Sequence, residues 1–339
     1  MTEADGQWPA HCRAFVVEET ASGFVGTVRQ HPLPVADTGD VLVRVAYSGL
    51  NYKDALVVRG ARGIARAYPQ VPGIDLAGTV VASRGSADWV GARVLVTGFG
   101  LGVDRPGGWA EYAVVPETWL TRIPDALTPQ ESMIFGTAGL TAALCCEALF
   151  AGGVQRNDAV LVTGASGGVG SHAVAILAAQ GLAVTAASRK GAVAYLKNLG
   201  ATTICHPDTL RTAPDKALAR PRWRGAVDSV GGAALADILK QMVDDGVVAL
   251  CGMAGGTAFA ASVFPFILRG VHLAGIDSVR VPQTRRALLW QKLAGPWRPG
   301  CLAQMARVVA FPDLPATIDA MLAGAQTGRV VVVPEGGVC

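Results

Sequence analysis

A glycine-rich segment near the middle of the chain constrains its fold more than any other feature. Residues 160–170 read V-L-V-T-G-A-S-G-G-V-G, which predicts a short buried strand, a tight turn and a helix that begins near Gly168. Gly164 and Gly167 would let the chain turn tightly, and Gly170 would let the helix lie close against the strand. Gly168 would let the backbone approach a pyrophosphate, to which the helix N-terminus offers unpaired N–H groups and a partial positive charge.

The residues that follow supply the context that such a turn requires. Residues 173–178 continue as an apolar helix, and residues 182–186 form a second predicted buried strand. A strand, a glycine turn, a helix and a second strand in this order are the setting of a dinucleotide-binding unit. The alternative is a plain βαβ unit, because glycine turns between strands and helices also occur without a ligand.

The end of that second strand indicates which dinucleotide is bound. An NAD site usually places a carboxylate there to hold the ribose 2′-OH, yet residues 159–206 contain no Asp or Glu. Ser188, Arg189 and Lys190 stand at the expected place, and a hydroxyl with one or two cations suits the dianionic 2′-phosphate of NADPH. The sequence therefore favours NADPH. The alternative is that Arg189 and Lys190 belong to an ordinary solvated loop.

Length and composition bound the class of protein. With 339 residues the chain is long enough for two domains, and 51% hydrophobic with 16% charged residues is typical of a compact folded protein. The net charge of +3 gives no reason to expect nucleic acid or a membrane as a partner. Seven cysteines without a C-x-x-C pair, and a start that lacks an apolar core, lead us to expect reduced thiols and a cytoplasmic location.

The pattern of predicted elements changes near residue 128. Before it, short alternating segments with frequent Gly and Pro turns predict a small β-barrel or sandwich. After it, apolar strands alternate with helices, which predicts a parallel sheet covered on both faces. Residues 329–333 are strongly β-branched, and we expect that strand to return to the first domain. The predicted domains are residues 1–129 with 310–339, and residues 130–309.

Several motifs together carry a resemblance to a known family. The glycine turn, G-T-A-G at residues 136–139 and N-Y-K-D at residues 51–54 resemble the medium-chain dehydrogenase/reductase superfamily. Three further motifs resemble its zinc-free, NADPH-dependent acrylyl-CoA reductase branch: P-G-I-D-L-A-G at residues 72–78, F-P-F-I-L-R-G at residues 264–270 and G-I-D-S-V at residues 275–279. The similarity extends over nearly the whole chain.

The resemblance implies an α/β protein with a GroES-like β-barrel domain and a Rossmann domain that contains a doubly wound parallel sheet. It also implies a homodimer, with the nicotinamide in the cleft between the two domains and an α,β-unsaturated thioester, such as an acyl-CoA, as substrate. The zinc-bearing relatives commonly carry G-H-E where this chain has Gly73-Ile74-Asp75, and isoleucine cannot bind a metal. Because the histidines and cysteines also lack zinc-ligand spacing, we expect no metal.

The N-Y-K-D motif carries the predicted catalytic residues. In the implied reaction, NADPH delivers hydride to the β-carbon of the enoyl thioester, negative charge develops on the thioester oxygen, and a proton is added at the α-carbon. Asn51 and Tyr52 are the candidate donors to that oxygen, Tyr52 is a candidate proton relay, and Asp54 is expected to orient its neighbours. The alternative is an ordinary helix start, with Asn51 as its cap and Tyr52 packed inward.

The resemblance also implies the cofactor contacts, position by position. They are Thr137 near the nicotinamide or a phosphate; Gly167, Gly168, Val169 and Gly170 at the pyrophosphate; Ser188, Arg189 and Lys190 at the 2′-phosphate; Val230, Cys251, Gly252, Ile276 and Ser278 around the nicotinamide and its ribose; and Arg329, which would close over the cofactor. Taken one by one, the small residues in this set fit a packed core as well as a ligand contact.

The chain departs from the family pattern near the expected substrate. The family usually carries His-Trp before its Gly-Gly, whereas this chain has Arg105-Pro106. Arg105 is therefore a candidate substrate contact beside Tyr52, and Arg62 and Arg66 are further candidate cations for a CoA tail. Two other functions stay open: a quinone or enone reductase that uses the same chemistry, and a catalytically idle dinucleotide-binding protein.

Overall fold

A computed structural model describes residues 8–334 of the chain. In chain order, the first elements are β1 (His11–Thr20), β2 (Gly23–Pro32), β3 (Asp40–Leu50), α1 (Tyr52–Val58), β4 (Asp75–Ser83), β5 (Arg93–Thr97), β6 (Tyr112–Pro116), β7 (Thr121–Arg122) and α2 (Pro129–Ala151). They are followed by β8 (Ala159–Thr163), α3 (Gly168–Ala179), β9 (Ala183–Ala187), α4 (Val193–Asn198), β10 (Thr203–Cys205), β11 (Trp223–Asp228), α5 (Gly232–Lys240), β12 (Met242–Leu250), α6 (Phe264–Arg269) and β13 (His272–Gly275). The last elements are α7 (Gln283–Ala294), β14 (Ala306–Ala310), α8 (Leu314–Leu322) and β15 (Arg329–Val333).

The chain folds as two compact units. Of the described residues, the first contains 8–137, Val279–Ala294 and 302–334, and the second contains Ala138–Ser278 and Gly295–Cys301. The chain passes from the first unit to the second inside α2, between Thr137 and Ala138. Gly136, one residue before Thr137, has a backbone that leaves the helical region (φ 50°, ψ −153°).

The first unit is built from two β-sheets. β1 and β2 pair as an antiparallel hairpin, and a seven-stranded sheet has the order β14-β15-β3-β4-β5-β7, with β6 also paired to β3. The β15 strand pairs antiparallel with β3, where Val330 lies opposite Leu50. The prediction that residues 329–333 return to the first domain is therefore confirmed.

The second unit contains the predicted parallel sheet. Its six strands have the order β10-β9-β8-β11-β12-β13, and every pairing between neighbours is parallel. Counted from β8, this is the order 3-2-1-4-5-6 of a dinucleotide-binding sheet. From β8 the chain adds β9 and β10 on one side of this strand, and it then crosses to the other side of β8 to form β11, β12 and β13. Right-handed crossovers in these two directions place helices on both faces of the sheet.

The predicted domain bounds differ from the two compact units at the start of α2 and in the C-terminal third. Residues 130–137, 279–294 and 302–309 were assigned to the Rossmann domain, but they belong to the first unit. Long-range polar contacts explain the difference: the buried guanidinium of Arg286 on α7 donates to the carbonyl and hydroxyl oxygens of Thr97 at 2.9 and 2.6 Å. In addition, β14 pairs with β15 along its whole length.

Helix α2 is long and apolar enough to cross a membrane by length and composition, and 78% of its most apolar window is buried within the protein. Its backbone is also interrupted at Gly136. Both properties are typical of a core helix in a folded domain.

Candidate functional site

The carboxyl ends of β8 and β11 mark the ligand-binding edge of the second unit. These two central strands are neighbours in the sheet but are separated in sequence by β9 and β10. The strand order reverses at this point, and in open α/β sheets the resulting crevice outside the strand ends is where ligands bind. The predicted cofactor residues of this unit follow the ends of β8, β9, β11, β12 and β13, so the fold brings them to one edge.

The glycine turn after β8 has the geometry that its sequence predicts. Gly164 adopts a φ of +57°, and Gly167 N donates to Gly164 O at 2.9 Å, which closes the turn. A Cβ atom at Gly170 would lie 2.3 Å from Gly164 O, so only glycine lets α3 pack this close to the strand end. Gly167 has an ordinary φ of −83° as the N-cap of α3; its predicted role in turning the chain does not need a glycine.

A buried carboxylate organises the crevice between β8 and β11. Asp228, the last residue of β11, is 0% exposed and accepts from Thr163 Oγ1 at 2.5 Å. It also accepts from the backbone N–H groups of Val230 and Gly231 at 3.1 and 3.0 Å. Asp228 therefore holds the two strand ends together and shapes the loop that carries Val230. Sequence reasoning missed it, although an acidic residue at the end of an apolar strand is a detectable signal.

The residues predicted to hold the 2′-phosphate lie together at the end of β9. The Ser188 and Ser166 hydroxyl groups are 2.8 Å apart, and Ser188 Oγ accepts from the backbone N–H of Lys190 at 3.1 Å. Arg189 is exposed and Lys190 half-buried. Burial lowers the pKa of Lys190, and the positive charge of Arg189 lowers it further. Two neighbouring cations that repel each other beside a pair of hydroxyl groups suit a dianion.

The remaining predicted contacts of the second unit follow the ends of β12 and β13. The half-buried Cys251 thiol donates to the Asp228 carbonyl at 3.5 Å. A Cβ atom at Gly252 would lie 2.2 Å from Ser229 O, so this position requires a close backbone approach. Ile276 N donates to Leu250 O at 2.9 Å, and Ser278 accepts from the Thr141 hydroxyl at 2.9 Å.

In the first unit, the N-Y-K-D motif forms the start of α1. Asn51 is the N-cap residue, but its side chain is engaged with Asp75 and Arg329. Tyr52 is 54% exposed, so the alternative in which it packs inward is wrong. Asp54 is fully buried and accepts from the backbone N–H groups of Asn51, Gly73 and Ile74 at 2.8, 3.0 and 2.8 Å. Desolvation raises the pKa of Asp54 to about 7.

Asp75 is the centre of a buried polar network that the sequence did not predict. Its carboxylate, 0% exposed, accepts from Asn51 Nδ2 at 2.7 Å and from Thr137 Oγ1 at 2.5 Å. Thr137 N lies 3.1–3.2 Å from its two oxygens, and Arg329 Nη2 is 3.4 Å away. The network joins three residues predicted for the site, Asn51, Thr137 and Arg329.

Arg329 is buried and hydrogen-bonded inside the first unit. It is 3% exposed, and its guanidinium donates to the carbonyl oxygens of Ile134 and Leu50 at 3.2 and 3.1 Å and to Asn51 Oδ1 at 2.9 Å. Together with the ion pair to Asp75, these bonds tie the charge into the interior of the first unit. Arg329 is therefore an internal counter-ion in this structure, and its closure over a cofactor stays a prediction.

Arg105 is also occupied. Its guanidinium lies 3.2 Å from the nearly buried carboxylate of Asp40 and 3.6 Å from Asp37, and it lies over the ring of Trp119 at 6.0 Å. These two carboxylates balance its charge, so the geometry does not favour the predicted contact with substrate. Arg62 and Arg66 are exposed.

No metal centre is evident in the part of the chain that the structure describes. Within residues 8–334, no three His, Cys, Asp or Glu side chains converge in a way that could hold a metal ion. The absence of zinc from the protein stays a prediction.

Curated relatives cover nearly the whole chain. The acrylyl-CoA reductase AcuI of Ruegeria pomeroyi is 42% identical over 317 residues, which are 93% of this chain and 96% of that protein. YhfP of Bacillus subtilis, named provisionally as a quinone oxidoreductase, is 42% identical over 317 residues, which are 93% of this chain and 95% of its own length.

Solved structures with the same fold contain dinucleotides. The YhdH oxidoreductase from Salmonella enterica in complex with NADP has a TM-score of 0.90 and 42% identity, and the match covers 95% of this chain and 99% of that one. The Bacillus subtilis protein YhfP with NAD bound has a TM-score of 0.91 and 40% identity, with 96% and 100% of the two chains covered.

Family comparisons agree with the two folds. Residues 37–125 match the family described as "Alcohol dehydrogenase GroES-like domain", and residues 168–294 match the family described as "Zinc-binding dehydrogenase". The β-rich first unit and the 3-2-1-4-5-6 parallel sheet are the structures that these two families predict. The chain therefore belongs to the medium-chain dehydrogenase/reductase family of oxidoreductases, with a GroES-like domain and a Rossmann domain.

Proposed function

We propose that this protein is an NADPH-dependent reductase of an α,β-unsaturated thioester, such as acryloyl-CoA. The observation that carries the proposal is the ligand-binding edge of the parallel sheet. The glycine turn between β8 and α3, called the elbow below, stands where the pyrophosphate of a dinucleotide would bind. The hydroxyls and cations after β9 stand where its 2′-phosphate would bind. The sequence similarity to an acrylyl-CoA reductase supports the substrate class.

The residues at this edge fit NADPH. Gly170 lets the N-terminus of α3 lie against the strand end, where its backbone N–H groups are available to a pyrophosphate. Ser188, Arg189 and Lys190 form a hydroxyl and cation group at the end of β9. Relatives at similar identity have been solved with NADP and with NAD, so the preference for the phosphorylated cofactor rests on this group. When bound, NADPH supplies the hydride.

The first unit supplies donors of the kind that the reaction requires. Reduction of the double bond places negative charge on the thioester oxygen, and a well-aligned donor to such an oxygen contributes roughly 3 kcal/mol to transition-state stabilisation. Tyr52 presents its phenol at the surface, 54% exposed, so it is accessible as a donor to that oxygen or as a relay for the proton that the α-carbon receives. Asn51 has one amide proton committed to Asp75 and a second that can serve as a donor.

A quinone reductase is the second candidate. The name of the YhfP relative favours it, and hydride transfer from the same cofactor to a carbonyl-conjugated ring would use the same Tyr52 phenol.

We also propose that the protein is a homodimer, because β13 is an edge strand of the six-stranded sheet and exposed apolar side chains on α6 lie near it in sequence, such as Ile267 and Leu268.

Absorbance at 340 nm separates these functions. NADPH oxidation is measured with acryloyl-CoA, crotonyl-CoA and a simple quinone, and each assay is repeated with NADH. Thioester turnover at a kcat/KM at least tenfold above that for the quinone supports the proposal, and the reverse ranking supports the quinone reductase. Binding of NADPH without turnover of any of the three would identify an idle dinucleotide-binding protein.

The cofactor preference has its own test. In an Arg189→Ala/Lys190→Ala variant we expect NADPH affinity to fall by about 10- to 100-fold, because charge-assisted hydrogen bonds to phosphate are lost, while NADH affinity changes less than threefold. Arg220→Ala removes a similarly exposed cation elsewhere in the same unit and serves as the control. Equal losses of NADPH and NADH affinity, or tighter binding of NADH by the wild type, would contradict an NADPH site.

A further inference from the structure

We propose that Asp75 is a positioning residue of the candidate site, which fixes the hydrogen-bonding direction of both the Asn51 amide and the Thr137 hydroxyl. The inference rests on the proposed function in one respect: it takes Asn51 and Thr137 as residues that face substrate and cofactor. Asp75 itself is 0% exposed. Its effect is exerted through the two side chains that it holds.

The Asn51 amide has a single consistent orientation in this network. Its Oδ1 accepts from Arg329 Nη1 at 2.9 Å, and its Nδ2 donates to Asp75 Oδ2 at 2.7 Å. A flipped amide would set its NH₂ group against the guanidinium and its oxygen against the carboxylate, so two good hydrogen bonds would become two repulsive contacts. Since the orientation is fixed, the second Nδ2 proton points in a defined direction as a donor.

The Thr137 hydroxyl is fixed as an acceptor toward other groups, whereas the Asn51 amide is fixed as a donor. Its Oγ1 donates to Asp75 Oδ1 at 2.5 Å, and the backbone N–H of the same residue also points at the carboxylate. A carboxylate oxygen can only accept, so the hydroxyl proton is committed to Asp75. Any other group that contacts this hydroxyl therefore contacts the lone pairs of Thr137 Oγ1. Thr137 therefore acts as an acceptor toward a cofactor amide or ribose hydroxyl.

Two glycines show that the fold reserves space for the Asp75–Arg329 pair. A Cβ atom at Gly49 would lie 2.6 Å from Asp75 Oδ2 and 2.8 Å from Arg329 Nη2. A Cβ atom at Gly136 would lie 2.5 and 2.7 Å from the same two atoms. Gly136 has a φ of +50° and immediately precedes Thr137, so the break in α2 both clears room for the pair and directs Thr137 toward the carboxylate.

Charge balance explains why the carboxylate can stay at the centre of the network. Asp75 and Asp54 are both 0% exposed and Arg329 is 3% exposed, so none of the three charges is solvated by bulk water. Burial lowers the pKa of Arg329, and the charges of Asp75 and Asp54 oppose that shift. Arg286, also buried, adds a second positive charge that interacts with Asp75. Two buried cations thus lie beside the Asp75 carboxylate, and Asp54 adds its negative charge only as the pH rises through its pKa of about 7.

The test is a set of variants that change hydrogen-bonding direction with little change in shape. In Asp75→Asn, the amide oxygen can keep its bonds to Asn51 and Arg329, while the NH₂ group faces both the hydroxyl and the backbone N–H of Thr137. The hydroxyl then has to accept, which reverses its direction, and the bond from the backbone N–H is lost. We expect kcat to fall about 100-fold, as for loss of an aligned group in a reacting site, with a smaller change in the KM for the thioester. Thr137→Val is expected to lose activity to a similar extent, and Thr137→Ser, which keeps the hydroxyl, to retain at least half of it.

A matched control separates positioning from ordinary stabilisation. Asp237 on α5 accepts from the backbone N–H and the hydroxyl of Thr212 at 3.1 and 2.5 Å, which is the same arrangement as Asp75 with Thr137, in a part of the second unit that the site does not use. Asp237→Asn should lower the melting temperature and leave kcat and KM within threefold of the wild type. A merely structural role for Asp75 would lower the melting temperature of Asp75→Asn and leave its kcat and KM within threefold of the wild type, as in Asp237→Asn.

The double variant Asp75→Asn/Thr137→Val decides whether Asp75 acts through Thr137. We expect it to lose little more activity than either single variant, because both remove the same acceptor. Losses that multiply, or an Asp75→Asn variant with unchanged kcat, would overturn the proposal. If Asp75→Asn does not fold, the Thr137→Val and Thr137→Ser pair decides instead, and equal activities of these two would overturn the proposal.

Cofactor binding keeps this outcome distinct from failure of the proposed function. If the wild type reduces no thioester, the proposed function fails, and NADPH dissociation constants from fluorescence titration then test the positioning role. Weaker NADPH binding by about tenfold or more in Thr137→Val, but not in Thr137→Ser, would support it. Identical dissociation constants in both variants would overturn it.

Discussion

The substitution Gly170→Ala tests most directly whether the glycine elbow between β8 and α3 binds the cofactor. The added methyl group would lie 2.3 Å from Gly164 O and 2.7 Å from Ala165 Cα, both backbone atoms that no side-chain movement can relieve. Ordinary van der Waals contact begins at 3.4 Å, so α3 would have to shift by about 1 Å from the end of β8. Because α3 is buried from Gly170 to Leu177, that shift also disturbs the core beneath it.

Two opposing contributions set the size of the effect on stability. Alanine is the better helix former by about 1 kcal/mol, whereas overpacking of a tight contact costs typically 1–3 kcal/mol and occasionally more. Because the atoms that the methyl group would meet are all backbone atoms, we expect the upper part of that range, and therefore a net loss of about 2 kcal/mol in the free energy of unfolding. For a unit of this size, that corresponds to a fall in melting temperature of roughly 4–8 °C.

The functional effect should be larger than the effect on stability. Backbone N–H groups at the start of α3 would move by the same distance, and a displacement of about 1 Å in a binding group can cost about 100-fold. NADPH affinity is measured by fluorescence titration and stability by thermal unfolding. Gly300→Ala, in the same unit, is the control, since its Cβ has no heavy atom within 4 Å. An NADPH dissociation constant within threefold of the wild type in Gly170→Ala would refute the role of this elbow in binding.

Three further outcomes are expected. Tyr52→Phe should lower kcat for the thioester by roughly 100-fold and leave the free energy of unfolding within about 0.5 kcal/mol, because the ring is 54% exposed; unchanged kcat would exclude the phenol from the reaction. The pKa of Asp54, about 7 when folded against 3.8 in its ordinary state, means that the folded protein holds a proton that the unfolded chain has released. The free energy of unfolding should therefore fall by up to about 4 kcal/mol between pH 4 and 7. The Asp54→Asn variant, measured by denaturant titration at the same pH values, should not show this fall. Ile267→Asp/Leu268→Asp, on two side chains that are 71% and 61% exposed, should convert the expected homodimer to monomer in light scattering; an unchanged mass would exclude α6 from the interface.

Local patterns in the sequence were sufficient for the parallel sheet and its elbow. The strand, turn and helix of residues 160–179 are adjacent in the chain, so their hydrophobic period and glycine spacing are sufficient to predict their geometry. The hydroxyl and cation group at residues 188–190 could be located in the same way, since it follows a predicted strand by one residue. The β-branched composition of residues 329–333 was sufficient to predict a strand, whereas its place beside β3 is shown by the pairing in the structure.

Side-chain partners were decided by tertiary structure. Arg329 lies 254 residues from Asp75, and Arg105 lies 65 residues from Asp40, so neither pairing has a local signature. In both cases a charge that sequence reasoning assigned to a ligand is paired within the protein. The buried guanidinium of Arg329 must be paired wherever the fold places it, and the partly exposed guanidinium of Arg105 lies against the carboxylate of Asp40. The bounds of the first unit followed the same rule, through the buried Arg286 and its contacts with Thr97.

The sequence by itself determined the elements and the edge of the sheet at which a dinucleotide can bind, because backbone conformation depends on neighbours along the chain. Only the tertiary structure decided which polar side chains are free to meet a ligand and which are held by others. The Asp75 network is the clearest case: its carboxylate is recognisable as a motif residue, but its control over Asn51 and Thr137 exists only where β4, the end of β3 and the break in α2 converge.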